Sequence, residues 1–362
     1  MGIVSKLIPV MLVAALGGIA QPRYTATPIQ APGFVLSSLA WLSDDGRVGF
    51  GSGLNLNANG TTSSQCFRYQ DGMFTTLPRG DSSCTAAAGN NRGQFVGALS
   101  AQGGSPTSAF VNDSGRYFSL NRFLPDGTRL SVAQSINQQG EVAGFFYANP
   151  QTITYTGPDG QPATLIQYSN QYAFLFSNHQ MAQLPALGGP NTQATAINAY
   201  GDAAGASDFQ NSQTHAVIFP RTGGIVDLGT LGGCYSRAVA INSSGQIAGD
   251  STLTQDPRDV TYHAFLFDGS TMRPIQLPGA DSRTASMNDN GEVVGAYRNA
   301  DGLDHPFYYS GGIAVDLNSR IVNPSPGMAL STPQYINNQG QILVMGVQGR
   351  DTVQFLLSPI SN

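Results

Sequence analysis

The chain has 362 residues, only 11% of them charged, and its formal net charge is −5. A single lysine and scattered arginines give no polybasic surface, which argues against nucleic acid and anionic membranes as partners. The hydrophobic share of 41% is too high for a disordered chain and allows one large all-β domain.

Residues 1–20 predict a secretory signal peptide. Lys6 gives the positive start, an apolar stretch follows it, and Gly18 and Ala20 are the small residues that a signal peptidase needs before Gln21. The alternative is a membrane anchor, but a run of about 14 apolar residues is shorter than the ~20 of a spanning helix. We therefore expect 21–362 to be a single domain, secreted or periplasmic, without a membrane span.

One pattern recurs seven times along the rest of the chain. An apolar residue precedes Asn, then come two polar residues, Gly, three further residues and a second Gly, as in AINSSGQIAG (240–249). Copies at 41–50 and 335–344 lack the second Gly. The Asn or its equivalent stands at Ser43, Asn90, Asn137, Asn198, Asn242, Asn288 and Asn337. Asn followed three residues later by Gly predicts a turn, because Asn bonds to backbone ahead of it and Gly accepts a positive φ.

Further short stretches follow each turn. The third stretch of a unit resembles HAFLF (263–267), and a tight turn and a fourth stretch follow it in six of the seven units, as in IVDLGTLGG (225–233). Short runs of β-branched and aromatic residues between Gly, Asn and Asp are typical of strands. Each unit is therefore predicted to contain four antiparallel strands, A to D, with Asn-x-x-Gly as the A–B turn.

The two ends of the chain complement each other. The last unit stops at Asn362 after three strands, and YTATPIQAPG (24–33), whose PIQAPG matches PIQLPG at 274–279, supplies a fourth. Four strands in ~45 residues is the period of a propeller blade, and a closed ring hides its sheet edges. The predicted fold is an all-β, seven-bladed β-propeller with four antiparallel strands per blade, whose last blade combines 332–362 with 22–36.

With these motifs the sequence resembles the HAF-repeat family, extracellular repeat proteins of bacteria. The resemblance rests on HAFLF (263–267), on the Ala-x-Ile-Asn-x-x-Gly-x-x-x-Gly and Leu-Gly-Gly elements, and on SLNRFLPDGTRLSVAQSINQQG (119–140). It covers nearly all of the predicted mature chain. It implies a secreted, propeller-like protein and no particular activity.

Three cysteines allow one disulfide and leave one thiol. Secretion permits disulfides, and Cys66 and Cys84 stand near the two ends of one predicted strand–turn–strand unit, so a bridge between them is plausible. Cys234 would then be free or buried. No spacing matches a zinc site, and we expect no metal and no cofactor.

The variable loops predict the binding surface. In a propeller the A–B and C–D turns lie on one face, and the B–C and D–A connections lie on the other. The A–B turns of this chain are short and alike, whereas its B–C loops differ, and function concentrates in loops on a rigid frame. The candidate binding residues on the B–C face are Tyr147, Tyr155, Asp159, Tyr168, Asp256, Arg258, Asp259, Tyr262, Asp301 and Asp304.

An insertion at 146–171 is predicted to form a hairpin that overhangs this face, with TITYT and ATLIQYS as strands around GPDG. Its tyrosines, Tyr147, Tyr155 and Tyr168, could stack against a sugar or a protein partner. Alternatively they pack against the neighbouring loop, as single surface aromatics commonly do.

Three histidines occupy the same position in consecutive units: His215, His263 and His305. A shared metal site is not expected, because packed sheets lie about 10 Å apart and a Zn–N bond is ~2 Å long. Each imidazole is instead predicted to fix a loop end through a hydrogen bond.

A glycosidase needs two carboxyl groups within ~5–10 Å of each other. Most loop aspartates stand in turn contexts, and no Gly-x-Ser-x-Gly indicates a serine nucleophile. The loop carboxylates that could form such a pair are Asp159, Asp208, Asp256, Asp259, Asp301 and Asp304.

These observations predict a secreted, monomeric, non-catalytic propeller that binds a glycan or a protein through the B–C face. The alternative is a propeller enzyme that acts on polysaccharide, a glycosidase or lyase with loop carboxylates at the channel mouth. The third hypothesis is a purely structural protein of the cell envelope. A channel mouth lined by Ala, Ser and Gln would argue against the enzyme.

Overall fold

The computed structural model describes residues 21–57, 60–77, 82–100, 107–125, 128, 130–156, 161–211 and 213–360. The predicted signal peptide lies outside these residues. Strands make up nearly all regular structure in this part of the chain, beside two 3-10 helices, η1 (Asn121–Phe123) and η2 (Leu317–Arg320). Neither helix has the length or the apolar character to cross a membrane.

The strands follow one another in repeating sets that we call units 1 to 7. Strand β1 (Tyr24–Ile29) precedes them. Unit 1 holds β2 (Leu36–Leu42), β3 (Val48–Leu56), β4 (Thr62–Gln70) and β5 (Met73–Thr76). Unit 2 holds β6 (Ser83–Gly89), β7 (Gln94–Ser100), β8 (Thr107–Asp113) and β9 (Arg116–Ser119). Unit 3 holds β10 (Leu130–Ile136), β11 (Val142–Thr156), β12 (Pro162–Ser177) and β13 (Gln180–Gln183). Unit 4 holds β14 (Thr192–Ile197), β15 (Ala203–Asp208), β16 (Thr214–Phe219) and β17 (Val226–Asp227). Unit 5 holds β18 (Ser236–Ile241), β19 (Ile247–Ser251), β20 (His263–Phe267) and β21 (Met272–Pro274). Unit 6 holds β22 (Ser282–Met287), β23 (Val293–Arg298), β24 (Asp304–Ser310) and β25 (Ile313–Asp316). Unit 7 holds β26 (Met328–Ile336), β27 (Ile342–Gln348) and β28 (Asp351–Pro359).

Within each unit the strands pair antiparallel in chain order, as the sequence predicts. The described strands form six sheets, not the seven predicted, because one sheet of eight strands combines units 2 and 3. A single parallel pair, Leu130 with Thr107, joins them. An equivalent parallel bridge joins Gln171 of unit 3 to Asn191 of unit 4. Asn191 lies just before β14 and not inside a strand, so the sheets of these two units stay separate. Units 2 and 3 merge only because both residues of their pair lie inside strands.

Unit 7 takes its fourth strand from the other end of the chain. Strand β1 pairs antiparallel with β28, from Tyr24 with Pro359 to Ile29 with Gln354. The sequence predicted this pairing, and the observed register sets Pro28 opposite Phe355.

The motif asparagines do more than form turns. In unit 2, Oδ1 of Asn90 accepts from the N–H groups of Arg92 and Gln94, which closes the A–B turn. Its Nδ2 donates to the backbone carbonyl of Asn137, 2.9 Å away in the next unit. The same contacts recur at the other five motif asparagines. We call these six Nδ2–carbonyl bonds the asparagine ladder.

The ladder has no bond from unit 1 to unit 2, because Ser43 replaces the asparagine there. Its hydroxyl serves its own turn, accepting from the N–H of Val48. A disulfide joins the two units instead, between Cys66 on β4 and Cys84 on β6. The sequence placed both cysteines in one unit, whereas Cys84 begins the next one, so the bridge links two units.

The hydrophobic core is divided among the interfaces between units. Phe265 of unit 5 packs with Ala216 of unit 4, and Phe307 of unit 6 packs with Ala264 of unit 5. The second and third residues of HAFLF, Ala264 and Phe265, therefore face the units on opposite sides of unit 5. The small alanine leaves room for the ring of the next unit, so that large and small side chains fill the interface together.

The second glycine of the motif is required by a bulge in strand A. A Cβ on Gly249 would overlap the carbonyl oxygen of Arg237, because β18 carries an irregularity opposite that point. The sequence pattern has no second glycine at the expected position in units 1 and 7. The structure has it there too, displaced by one and two positions, as Gly51 and Gly346.

Replacing Gly51 by Ala should lower the free energy of unfolding by about 1–3 kcal/mol, because the new methyl group overlaps the Ser38 carbonyl and the Phe67 ring. Chemical denaturation measures the loss. Ser52→Ala, on the same strand, is the matched control and should change stability by less than about 0.5 kcal/mol. Equal effects of the two substitutions would contradict the assigned register.

Removing the disulfide by C66A/C84A should cost about 3 kcal/mol, since the bridge closes a loop with a sequence separation of 18. Urea denaturation of the oxidised protein measures this. Cys234→Ala removes the free thiol and should leave stability within about 0.5 kcal/mol. A double variant as stable as the parent would show that the bridge does not hold units 1 and 2 together.

Candidate functional site

The first strands of all seven units surround one cavity of about 250 Å³, which we call the central cavity. Each of β2, β6, β10, β14, β18, β22 and β26 contributes residues near its end. One lining residue from each strand, in chain order, is Trp41, Ala88, Ser135, Thr195, Val239, Ala285 and Tyr335. Antiparallel sheets packed around a common cavity form a β-propeller.

The central cavity lies at the end where the A–B turns are. The motif residues Asn137, Asn198 and Asn288 line it, together with residues that follow them in the turns. The sequence analysis favoured the opposite face, because it judged the surface by loop variability. Each ladder bond joins one short turn to the next, so these similar turns line a common space.

Hydroxyl groups connect neighbouring strands in the cavity wall. The hydroxyl of Thr195 donates to the carbonyl of Ala238, 2.8 Å away, and that of Ser135 accepts from the N–H of Ile197. Asp289 is the one charged residue among those that line the cavity. Its carboxylate accepts from the N–H of Ser243 at 2.8 Å. The wall is therefore polar but nearly uncharged, and no pair of carboxylates faces across it.

One side of the cavity is aromatic. The ring of Trp41 lies 6.4 Å from that of Tyr335 and stacks on Phe50. Burial raises the pKa of Tyr335, so its hydroxyl group stays neutral at physiological pH. This sector gives the otherwise polar cavity an apolar surface.

The predicted residues of the B–C loop of unit 5 interact locally. The guanidinium of Arg258 donates to Asp256 at 2.9 Å and lowers the pKa of that carboxyl group. The N–H of Thr261 lowers the pKa of Asp259, which also accepts from Thr254. A general acid needs a raised pKa, so neither carboxyl group suits that role.

Asp301 and Asp304 are likewise held within their own loop. The N–H of Leu303 and then the imidazole of His305 lower the pKa of Asp301. Asp304 forms an ion pair with Arg298, whose Nε lies 3.0 Å from its carboxylate. Asp208, the further carboxylate considered, accepts from Asn191 and Thr214.

Tyr262 has a larger cluster around it. The guanidinium of Arg283 lies 3.4 Å from its ring centroid, and the Tyr235 ring contacts its edge. Arg283 in turn donates to Asp281 at 2.7 Å. These contacts give the tyrosine a structural role between the start of β20 and the start of β22 in the next unit.

The insertion forms the predicted hairpin, with β11 and β12 paired out to Thr156 and Pro162. Tyr147 packs edge-on against Phe145, with ring centroids 5.7 Å apart. Tyr155 and Tyr168 lie on β11 and β12, but their side chains are outside the described part. Asp159 lies outside the described residues altogether.

Two of the three aligned histidines, His215 and His305, contact nearby carboxylates. Nδ1 of His215 lies 2.8 Å from Asp227, and His305 lies between Asp316 at 2.7 Å and Asp301 at 2.8 Å. In the part of the chain that the structure describes, no three His, Cys, Asp or Glu residues form a group able to hold a metal ion.

No family model matches the chain, and no curated protein does. Solved structures resemble it in fold. Uncomplexed acylaminoacyl peptidase of Pyrococcus horikoshii gives a TM-score of 0.58 at 10% identity and covers 92% of this chain and 53% of that one. A puromycin-hydrolysing peptidase of Mycobacterium tuberculosis gives 0.55 at 12% identity and covers 90% and 53%. The chain thus spans about half the length of these enzymes, and at such identity the likeness concerns the fold.

This finding corrects the expected function. The sequence analysis predicted a non-catalytic protein that binds a glycan or a protein through the B–C loops, with a polysaccharide-acting enzyme as the alternative. The two structures named above are peptidases, which are enzymes of a different substrate class. Asp256, Asp259 and Asp301 lack the environment of a general acid, because local donors lower the pKa of each carboxyl group.

Hydrogen bonds with Asp316 and Asp301 raise the pKa of His305 above 6.5. A raised folded-state pKa adds stability that is fully present below pH 6.5 and is lost as the pH rises through the folded value. His305→Gln should therefore cost more stability at pH 5.5 than at pH 9. Denaturation at both pH values tests this, and imidazole NMR titration should give a lower pKa in Asp316→Asn. An equal cost at both pH values would contradict the prediction.

Proposed function

We propose that this chain is the propeller part of a peptide-hydrolysing enzyme, a ring of seven blades whose central cavity receives a peptide segment. The observation that carries the proposal is the central cavity itself, to which the first strand of each unit contributes. The likeness in fold to two peptidases, over 90% and 92% of this chain, supports the substrate class.

Contacts between units 7 and 1 support the closed ring. The side chain of Gln354 on β28 accepts from the N–H of Leu39 and donates to its carbonyl, both at 2.8 Å. The last ladder bond runs from Asn337 to the carbonyl of Ser43, and Leu343 shares a hydrophobic cluster with Leu39. These contacts resemble those between the other neighbouring units.

The wall of the central cavity suits a peptide backbone. Strand A is the inner edge of its unit, and an edge strand presents backbone N–H and C=O groups that can pair with an extended segment. The volume of about 250 Å³ lies just below the ~300–1,000 Å³ of small-molecule sites, which favours a narrow chain over a bulky ligand. The lack of a charged pair fits an uncharged stretch of peptide.

Secretion belongs to the same proposal. The Cys66–Cys84 bridge supports it, because disulfides persist in oxidising compartments. The resemblance to the HAF repeats agrees with an extracellular propeller and stays a prediction.

Blocking the central cavity should prevent peptide binding. Ala285 is a small wall residue on β22, so Ala285→Trp would fill much of the space. Fluorescence anisotropy with a labelled N-acetylated hexa-alanine should report binding to the parent chain. The variant should bind at least tenfold more weakly, which corresponds to about 1.4 kcal/mol.

Thr75→Trp is the matched control, because it adds the same ring on β5, at the outer edge of unit 1. It should bind the peptide as the parent does, and thermal melts should show that both variants are folded. Absence of binding at millimolar peptide, or equal binding by Ala285→Trp, would overturn the proposal.

A further inference from the structure

A second cavity, of about 390 Å³, lies between units 2 and 3, and we call it the side pocket. It shares no lining residue with the central cavity. Its lining combines an apolar surface with cationic groups. The residues used below are Arg92, Val111, Arg122, Phe123, Phe176 and His179.

Aromatic rings form a continuous wall of the side pocket. Phe123 and Phe176 lie with ring centroids 5.1 Å apart, and the ring of His179 meets Phe176 edge-on. The guanidinium of Arg122 lies over Phe123, 4.6 Å from its centroid. The wall thus runs from a cation across two apolar rings to an imidazole, and Val111 adds to the apolar surface.

The charges in the side pocket favour an anion. Arg92 lies at its edge, where its guanidinium donates to the carbonyls of Gln138 and Gln139 at 3.5 and 3.3 Å. The one carboxylate in the lining, Asp113, already accepts from Gln94 at 2.9 Å. Two guanidiniums therefore stand against one carboxylate that is already bonded, in a protein whose net charge is negative.

His179 has a backbone conformation that is strained for a residue with a Cβ atom. His179 follows Asn178 in a two-residue turn between β12 and β13, and its φ is 59°. The corresponding turns of units 1, 2 and 6 carry Gly72, Gly115 and Gly312 at the same place, all with positive φ. Glycine adopts this conformation without steric cost, whereas in other residues the Cβ atom makes it unfavourable. Strained residues cluster at functional sites, and this one brings an imidazole to the side pocket.

We propose that the side pocket binds an organic anion, a carboxylate attached to an aromatic or branched aliphatic body. The guanidinium of Arg122 pairs with the carboxylate, because a guanidinium matches the two oxygens of that group. The rings of Phe123 and Phe176 hold the apolar body, and His179 closes the site. A free aromatic acid and the C-terminal residue of a peptide share this chemistry. The inference is independent of the central cavity and goes beyond the proposed function.

Calorimetric titration of the full chain tests the proposal with matched probes. N-acetyl-phenylalanine represents the free acid, and N-acetyl-phenylalaninamide has the same body without the charge. A tetrapeptide that ends in phenylalanine, with a free or an amidated C-terminus, represents the peptide. The acids should bind at least tenfold more tightly than the amides, and the better acid identifies the source. Amides that bind as well as the acids would overturn the proposal.

Two substitutions separate binding from stability. Arg122→Gln should weaken binding of the acid at least tenfold, whereas Arg116→Gln, a control on the exposed part of β9, should not change it. His179→Gly should raise the melting temperature by roughly 2–4 °C through relief of strain and yet weaken binding several-fold. Unchanged affinity in both Arg122→Gln and His179→Gly would refute the site.

Failure of anion binding at the side pocket can be distinguished from failure of peptide binding at the central cavity. Ala285→Trp blocks only the central cavity and should leave the affinity of the acid for the side pocket unchanged. Loss of acid binding in that variant would place the anion in the central cavity and overturn the inference, whatever the hexa-alanine experiment shows.

Discussion

One amide side chain per unit connects local structure to the whole assembly. The Oδ1 atom of a motif asparagine such as Asn242 closes its own A–B turn, and its Nδ2 atom reaches the backbone of the next unit. A buried amide that lost these partners would carry a desolvation cost of about 1–3 kcal/mol, so turn and neighbour are stabilised together. Each turn therefore takes its position from the next one, and the strands that lead into the turns surround the central cavity.

The interfaces between units depend on the same regularity. In units 2, 3 and 5 the third strand carries an alanine followed by an aromatic ring, and in unit 5 Ala264 and Phe265 face opposite neighbours. A unit alone would expose both faces, so its stability comes from the neighbours. The disulfide between Cys66 and Cys84 stands where the asparagine ladder is interrupted at Ser43, which gives units 1 and 2 a covalent link in place of the missing bond.

The repeat made the strands predictable from sequence, because turn chemistry and strand composition are local. The pairing of β1 with β28 was predictable because the last unit lacks the fourth stretch that the N-terminal copy of the repeat supplies. The bonds between units were not, since they join residues far apart in the chain. The A–B turn of unit 1 is one residue longer, because the N–H of Ser43 bonds to the carbonyl of Val48, and strand A of unit 7 carries a second bulge. These differences displace Gly51 and Gly346 from the expected spacing, and a pattern of fixed length cannot follow them. Loop variability pointed to the B–C face, whereas both cavities are lined by A–B turn residues. The sequence did contain one signal for the side pocket, the His179 of a turn that is Gly elsewhere.

The two ends of the propeller therefore differ in physical character. At the A–B end the ladder holds short turns in place, so a ligand that enters the central cavity meets groups that are already ordered and loses little further conformational entropy of the protein on binding. At the B–C end the loops of units 5 and 6 satisfy their own charges, as Asp256 does with Arg258 and Asp301 with His305. A loop whose carboxylates are neutralised locally has fewer groups left for a ligand. Variation in such loops then changes the surface without changing the cavity, which supports the proposal that recognition takes place at the end where the sequence varies least.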